Sequence, residues 1–103
     1  MPHPQVTVQP WGFQADMEIA GLLQRLNDRD MPTLYSCQGE WGNSLNPAYI
    51  MFEYLEHAYE FAVGSSEALQ AYEFDISLFG TNTGTQGRVT FPNHYIKQLE
   101  GTW

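Results

Sequence analysis

The chain has 103 residues, 43% of them hydrophobic and 15% aromatic, enough for one compact core and for the expectation of a single domain over residues 1–103. Twelve Asp and Glu against four Lys and Arg give a net charge of −8, a sign that repels nucleic-acid backbones and anionic membrane surfaces and argues against direct nucleic-acid binding. No apolar run approaches the roughly 20 residues of a membrane-spanning helix, so no membrane partner is expected.

The single cysteine, Cys37, has no internal disulfide partner, and the opening MPHPQVTVQP lacks the charged start and apolar core of a signal peptide. A reducing cytoplasm is the expected compartment. The acidic residues are dispersed from Asp16 to Glu100, which reads as a self-repelling surface; an acidic decoy imitating DNA is the minor alternative.

Pro2, Pro4 and Pro10 punctuate the start, which predicts an extended arm over residues 1–12 or an edge strand around Val6 and Val8. From Asp16 the residues Ile19, Leu22, Leu23 and Leu26 fall on one face at helical spacing, and Pro32 forbids continuation. Thr33, Leu34 and Tyr35 have strand character and run into Ser36 and Cys37. The segment QGEWGNSLNP is a loop of about ten residues, long enough to suggest a functional role.

AYIMFEY predicts a strand apolar on both faces, Tyr49 and Met51 on one and Ile50 and Phe52 on the other, and hence a central place in a sheet. Leu55, Ala58, Tyr59 and Ala62 return to helical spacing, with Gly64, Ser65 and Ser66 expected to interrupt or end the helix, although a short extension through Leu69 is compatible. In YEFDISLFG the residues Tyr72, Phe74, Ile76 and Leu78 alternate with polar ones as a half-buried strand, and the turn GTNTGTQG leads into a partner strand at Arg88, Val89, Thr90 and Phe91. Pro92 and Asn93 open a last helix with the apolar stripe Tyr95, Ile96 and Leu99, ended near Gly101. This order predicts an α+β fold, a two-layer sandwich with helices on one face of a mostly antiparallel four-stranded sheet.

The pairs and runs Leu26-Asn27, Met31-Pro32-Thr33, Ser36-Cys37-Gln38-Gly39 and Ala48-Tyr49-Ile50-Met51-Phe52 resemble a group of small uncharacterised bacteriophage and actinobacterial proteins. Their shared pattern is a Ser-Cys-x-Gly or Cys-Cys-x-Gly motif leading into a Tyr-Ile-Met-Phe-like strand. The resemblance covers about residues 16–63 and, more weakly, Val89-Thr90-Phe91-Pro92. It implies a phage or actinobacterial source and carries no established activity. Many members have His after the motif glycine, where this chain has Glu40, which weakens a metal or general-base role carried over from them.

Chemically, Gly39 can turn backbone N–H groups into a small anion-binding nest beside a polarizable sulfur. Cys37 as a nucleophile needs a base in reach and a lowered pKa, and His3, His57 and His94 have no diagnostic spacing to it. The bland alternative is a buried small hydrophobe followed by a turn glycine. One cysteine and three scattered histidines match no usual metal spacing, so neither metal nor other cofactor is expected. Tyr35, Tyr49, Phe52, Tyr59, Phe61, Phe74 and Phe91 sit at strand or helix periods and are expected to be mostly core, while Trp11 and Trp103 suit anchoring an arm or covering a partner subunit.

The leading expectation is therefore a non-catalytic protein that binds a small, nucleotide-like ligand through Tyr35, Ser36, Cys37, Gln38, Gly39, Trp41 and Arg88, sequestering a host defence signal for a phage. Pairing with a second copy would enlarge the pocket. The alternatives are an acidic inhibitor or adaptor docking on a host protein, and a Cys37-dependent enzyme.

Overall fold

The computed structural model describes residues 4–40 and 47–103. Gln5–Val8 (β1) and Phe13–Asp16 (β2) form an antiparallel hairpin, and Thr33–Cys37 (β3), Ala48–Phe52 (β4), Asp75–Thr81 (β5) and Gly84–Phe91 (β6) form an antiparallel sheet in the order β3-β4-β6-β5. Met17–Asp28 (α1), Leu55–Leu69 (α2) and Ile96–Thr102 (α3) complete the chain, the last preceded by a 3-10 turn at Asn93–Tyr95. The fold is α+β, with three helices and two antiparallel sheets.

The predicted stripe of α1 is buried in full: Ile19, Leu22, Leu23 and Leu26 join Ile50, Phe52, Phe61, Val89, Phe91, Ile96 and Leu99 in one core cluster. Each such side chain removed from water contributes roughly 1.5–3 kcal/mol before the entropy of ordering is subtracted. The strand β4 is central, as its apolar character on both faces predicts. Ala48, Ile50 and Phe52 belong to the core cluster, whereas Tyr49 and Met51 point to the second face and lie outside it.

Four details depart from the sequence expectations. The N-terminal residues gain a strand partner at Phe13–Asp16, four residues whose alternation is too short to stand out and that pair as Val8 and Ala15 bury themselves in the core. Helix α2 does not end at Gly64-Ser65-Ser66 but takes the compatible extension to Leu69: Ser65 accepts from the distant Trp103 Nε1 at 3.0 Å, and the Ser66 hydroxyl donates locally to the Ala71 carbonyl beyond the helix end.

The remaining two concern β5 and β6. The half-buried strand expected from Tyr72 begins only at Asp75, and Tyr72 itself is 91% exposed. The glycine- and threonine-rich turn shrinks to Asn82 and Thr83, with Thr81 Oγ1 donating to the Gly84 carbonyl at 2.8 Å across it. Most of GTNTGTQG is therefore strand. Of the aromatics expected in the core, Phe52, Phe61 and Phe91 are buried, whereas Tyr35 and Tyr59 are exposed.

A candidate ligand-binding face

The register decides which predicted site residues meet. Tyr35 lies opposite Met51, Met51 opposite Arg88 and Arg88 opposite Ser77, so these four form one row across the sheet. Cys37, Tyr49, Thr90 and Asp75 form the next row, and Gln86 and Phe79 a third. Residues directly opposite share a face, so Tyr35, Cys37 and Arg88 stand together on the second face, away from the Ile50 and Val89 side.

Arg88 is the centre of this face. Its guanidinium carbon lies 5.4 Å from the centroid of the Tyr49 ring and 5.2 Å from that of Phe79, both diagonal neighbours and both within cation–π range. Its Nε is buried without a hydrogen-bond partner among the described residues. Met51, 1% exposed, forms the floor between Tyr35 and Arg88. Tyr35 is 55% exposed and meets Tyr49 edge to face at 6.4 Å. Burial first, and then the proximity of Cys37, raise the Tyr49 phenol above its ordinary value of 10.0, so Tyr49 is a neutral hydrogen-bonding group at physiological pH.

The Ser36-Cys37-Gln38-Gly39 motif divides its labour. Ser36 lies opposite Ile50, on the core side of the sheet. Gln38 is buried: its backbone N–H donates to Asp16 Oδ2 at 3.1 Å, and its Oε1 accepts from the Glu18 N–H at 2.9 Å. Glu18 is in the first turn of α1, where backbone donors have no partner within the helix. Gln38 thus caps α1 from twenty residues away in sequence, and Asp16 ties the same loop to β2. The glycine after it has φ +74°, a left-handed conformation, and its N–H reaches Cys37 Sγ at 3.5 Å.

That capping role has a measurable cost. Gln38→Ala is expected to lower stability by about 1–2 kcal/mol, comparable to losing an N-cap side chain, read as a lower urea midpoint with an unchanged slope. An unchanged midpoint would show that water satisfies the Glu18 N–H equally well.

Trp41 and the rest of 41–46 lie outside the described residues. Sequence reasoning missed Tyr49, Met51, Phe79 and Thr90 as companions of Arg88. The Tyr49 and Met51 alternation was readable, but the approach of Phe79 to Arg88 depends on the β5–β6 register, which a turn assigned eight residues instead of two conceals. Among the described residues no hydrogen bond joins Cys37 to His57 or His94, and no group of three or more His, Cys, Asp or Glu gathers as it would for a metal ion. Among them, too, no helix is long and apolar enough to cross a membrane. Compared with known proteins, the chain has no significant match to a family model, a curated protein or a solved structure.

Proposed function

We propose that the protein is a non-catalytic binder of a small, nucleotide-like ligand, and that the second face of the four-stranded sheet receives it. The observation that carries the reading is the convergence of Tyr35, Cys37 and Arg88 on that face beside Tyr49 and Phe79. Rings for stacking and one guanidinium are the elements that a flat, acidic molecule requires. The reading includes an architecture in which the helices cover only the opposite face. Its support is that the buried stripes of α1, α2 and α3 all join the cluster of Ile50, Phe52, Val89 and Phe91, while Met51 lies outside it.

The role proposed for such a binder is sequestration of a host defence signal by a phage protein; the resemblance carried by the Ser36-Cys37-Gln38-Gly39 motif supports the phage source and not the activity. Binding without turnover is favoured over a Cys37 nucleophile because no imidazole is hydrogen-bonded to the sulfur among the described residues. Titration calorimetry against cyclic nucleotides and ADP-ribose derivatives tests the proposal. Heat of binding is expected from at least one of them, and Cys37→Ala is expected to retain that affinity within about tenfold, since it removes one contact and leaves Arg88 and the rings in place. Silence across the whole panel would sink the reading.

A further inference from the structure

The ligand's charge can be bounded by following every cation in the chain. Of the four Lys and Arg, Arg25 and Arg29 are on α1 or at its end and Lys97 is on α3. Arg29 Nε donates to the Trp103 carbonyl at 2.9 Å and its guanidinium lies over the Trp103 ring at 5.6 Å. Lys97 stands 3.9 Å from Glu18 and 3.8 Å from Glu100. Arg25 lines a cavity of about 330 Å³ together with Asp28 and Glu100. Arg88 is left as the one cationic residue in any strand among the described residues, and Asp75 shares its face in the neighbouring row.

We infer that the face selects a flat ring carrying a single negative charge, such as a cyclic mononucleotide with its one phosphodiester anion, and refuses polyanions. The inference rests on the binding reading above and assigns the ligand class for the same site. One charge meets the Arg88 guanidinium, whose buried Nε–H lacks an acceptor that a phosphodiester oxygen supplies. Each further charge meets no second cation among the described residues of the face and instead meets the field of a chain at −8.

Geometry sets the ligand's length. Tyr35 and Arg88 are two strands apart in one row, a separation of about 10 Å between backbones at the usual strand spacing. The Met51 floor lies between them. A base stacked on the exposed Tyr35 ring, joined through one sugar to a phosphodiester at Arg88, spans that row. Tyr49 and Phe79 hold the guanidinium from two sides, so Arg88 is presented with little side-chain freedom left to lose.

The test is calorimetry at fixed salt with three compounds sharing one base: the neutral nucleoside, its cyclic monophosphate and its triphosphate. The cyclic monophosphate is expected to bind at least about tenfold more tightly than either of the others. Against the nucleoside that is the worth of one charge-assisted hydrogen bond, and against the triphosphate it is the cost of charges left uncompensated. Arg88→Gln should remove that advantage, so that the cyclic monophosphate binds the variant no more tightly than the nucleoside does. A second readout needs no variant: cyclic monophosphate binding should weaken as salt rises, and nucleoside binding should not. A triphosphate that binds as tightly as the cyclic form, or cyclic monophosphate binding indifferent to salt, overturns the charge rule and leaves the small-ligand reading standing. If none of the three binds while an ADP-ribose derivative does, the ligand class is wrong; if nothing binds at all, the small-ligand reading fails with it.

Discussion

Trp103→Ala is expected to lower the free energy of unfolding by about 3 kcal/mol, the lower part of the range for truncating a large packed aromatic because the residue is only partly buried. The side chain is held on three sides. Its ring lies 5.7 Å from that of Phe61, its Nε1 donates to Ser65 Oγ at 3.0 Å, and the Arg29 guanidinium lies over it at 5.6 Å. Phe61 is fully buried and touches Phe52, Phe74 and Phe91 through ring contacts as well, so removing Trp103 opens the main aromatic cluster at its rim. Gly64 belongs to the same arrangement: a Cβ there would sit 3.0 Å from the Trp103 ring, so the glycine is the slot into which the indole fits.

Trp103→Phe separates packing from hydrogen bonding. It keeps a ring against Phe61 and loses the donor to Ser65, so about 1 kcal/mol is expected. Urea titrations of the three proteins measure both steps. A Trp103→Ala loss below about 1 kcal/mol would mean that the indole covers the core without holding it.

This clasp also explains where the sequence misleads. Gly64-Ser65-Ser66 carries the composition of a helix end, and by local chemistry it is one. The helix continues because Trp103 fills the space above Gly64 and bonds Ser65, partners nearly forty residues away in sequence. Local patterns predicted what local forces determine: the α1 stripe, the central β4 strand and the Pro92-Asn93 entry to the last helix. Phe13–Asp16 was not read as a strand because four alternating residues are a weak signal until their pairing with Gln5–Val8 is known.

The candidate site was legible to the same degree. Tyr35 and Cys37 were readable as chemistry near a strand end, although Tyr35 also counted among the expected core aromatics and Cys37 also read as a buried small hydrophobe, and Arg88 stood out in a chain poor in cations. Gln38 looked like part of the same site because it sits beside them, yet a side chain of its length turns inward to serve the Glu18 N–H. Nothing in the residues adjacent to Gln38 signals an unsatisfied helix donor that distant in sequence. Tyr49 and Phe79 were hidden for a different reason, since their meeting at Arg88 is a product of register across three strands.

Gly87→Ala should cost about 2–3 kcal/mol, although adding a Cβ to a strand interior ordinarily helps. Gly87 lies on β6 opposite Phe52 and Leu78, on the core side of the sheet. A Cβ at this position would come within 2.6 Å of Ala58 Cβ and 3.1 Å of Leu55 Cδ1, where carbon atoms pack best at about 3.5–4.0 Å. The leucine can change rotamer. Ala58 has no rotamer to change, and it is fully buried, so the methyl is accommodated only if α2 lifts from β6. The backbone freedom of glycine is not at issue here, because close approach of helix to strand is sufficient reason for its presence. Ala58→Gly alone should cost about 1 kcal/mol through helix propensity. Combined with Gly87→Ala it should restore part of the loss, so that the double variant is more stable than the sum of the two single changes predicts. Strict additivity in a denaturant-based double-mutant cycle would remove the Ala58 contact as the reason for the glycine. The same cycle reaches the candidate site, because Arg88 is the next residue along β6 and its guanidinium must stay seated between Tyr49 and Phe79. A ligand that reads Arg88 should therefore lose affinity in Gly87→Ala and regain it in the double variant, in step with stability.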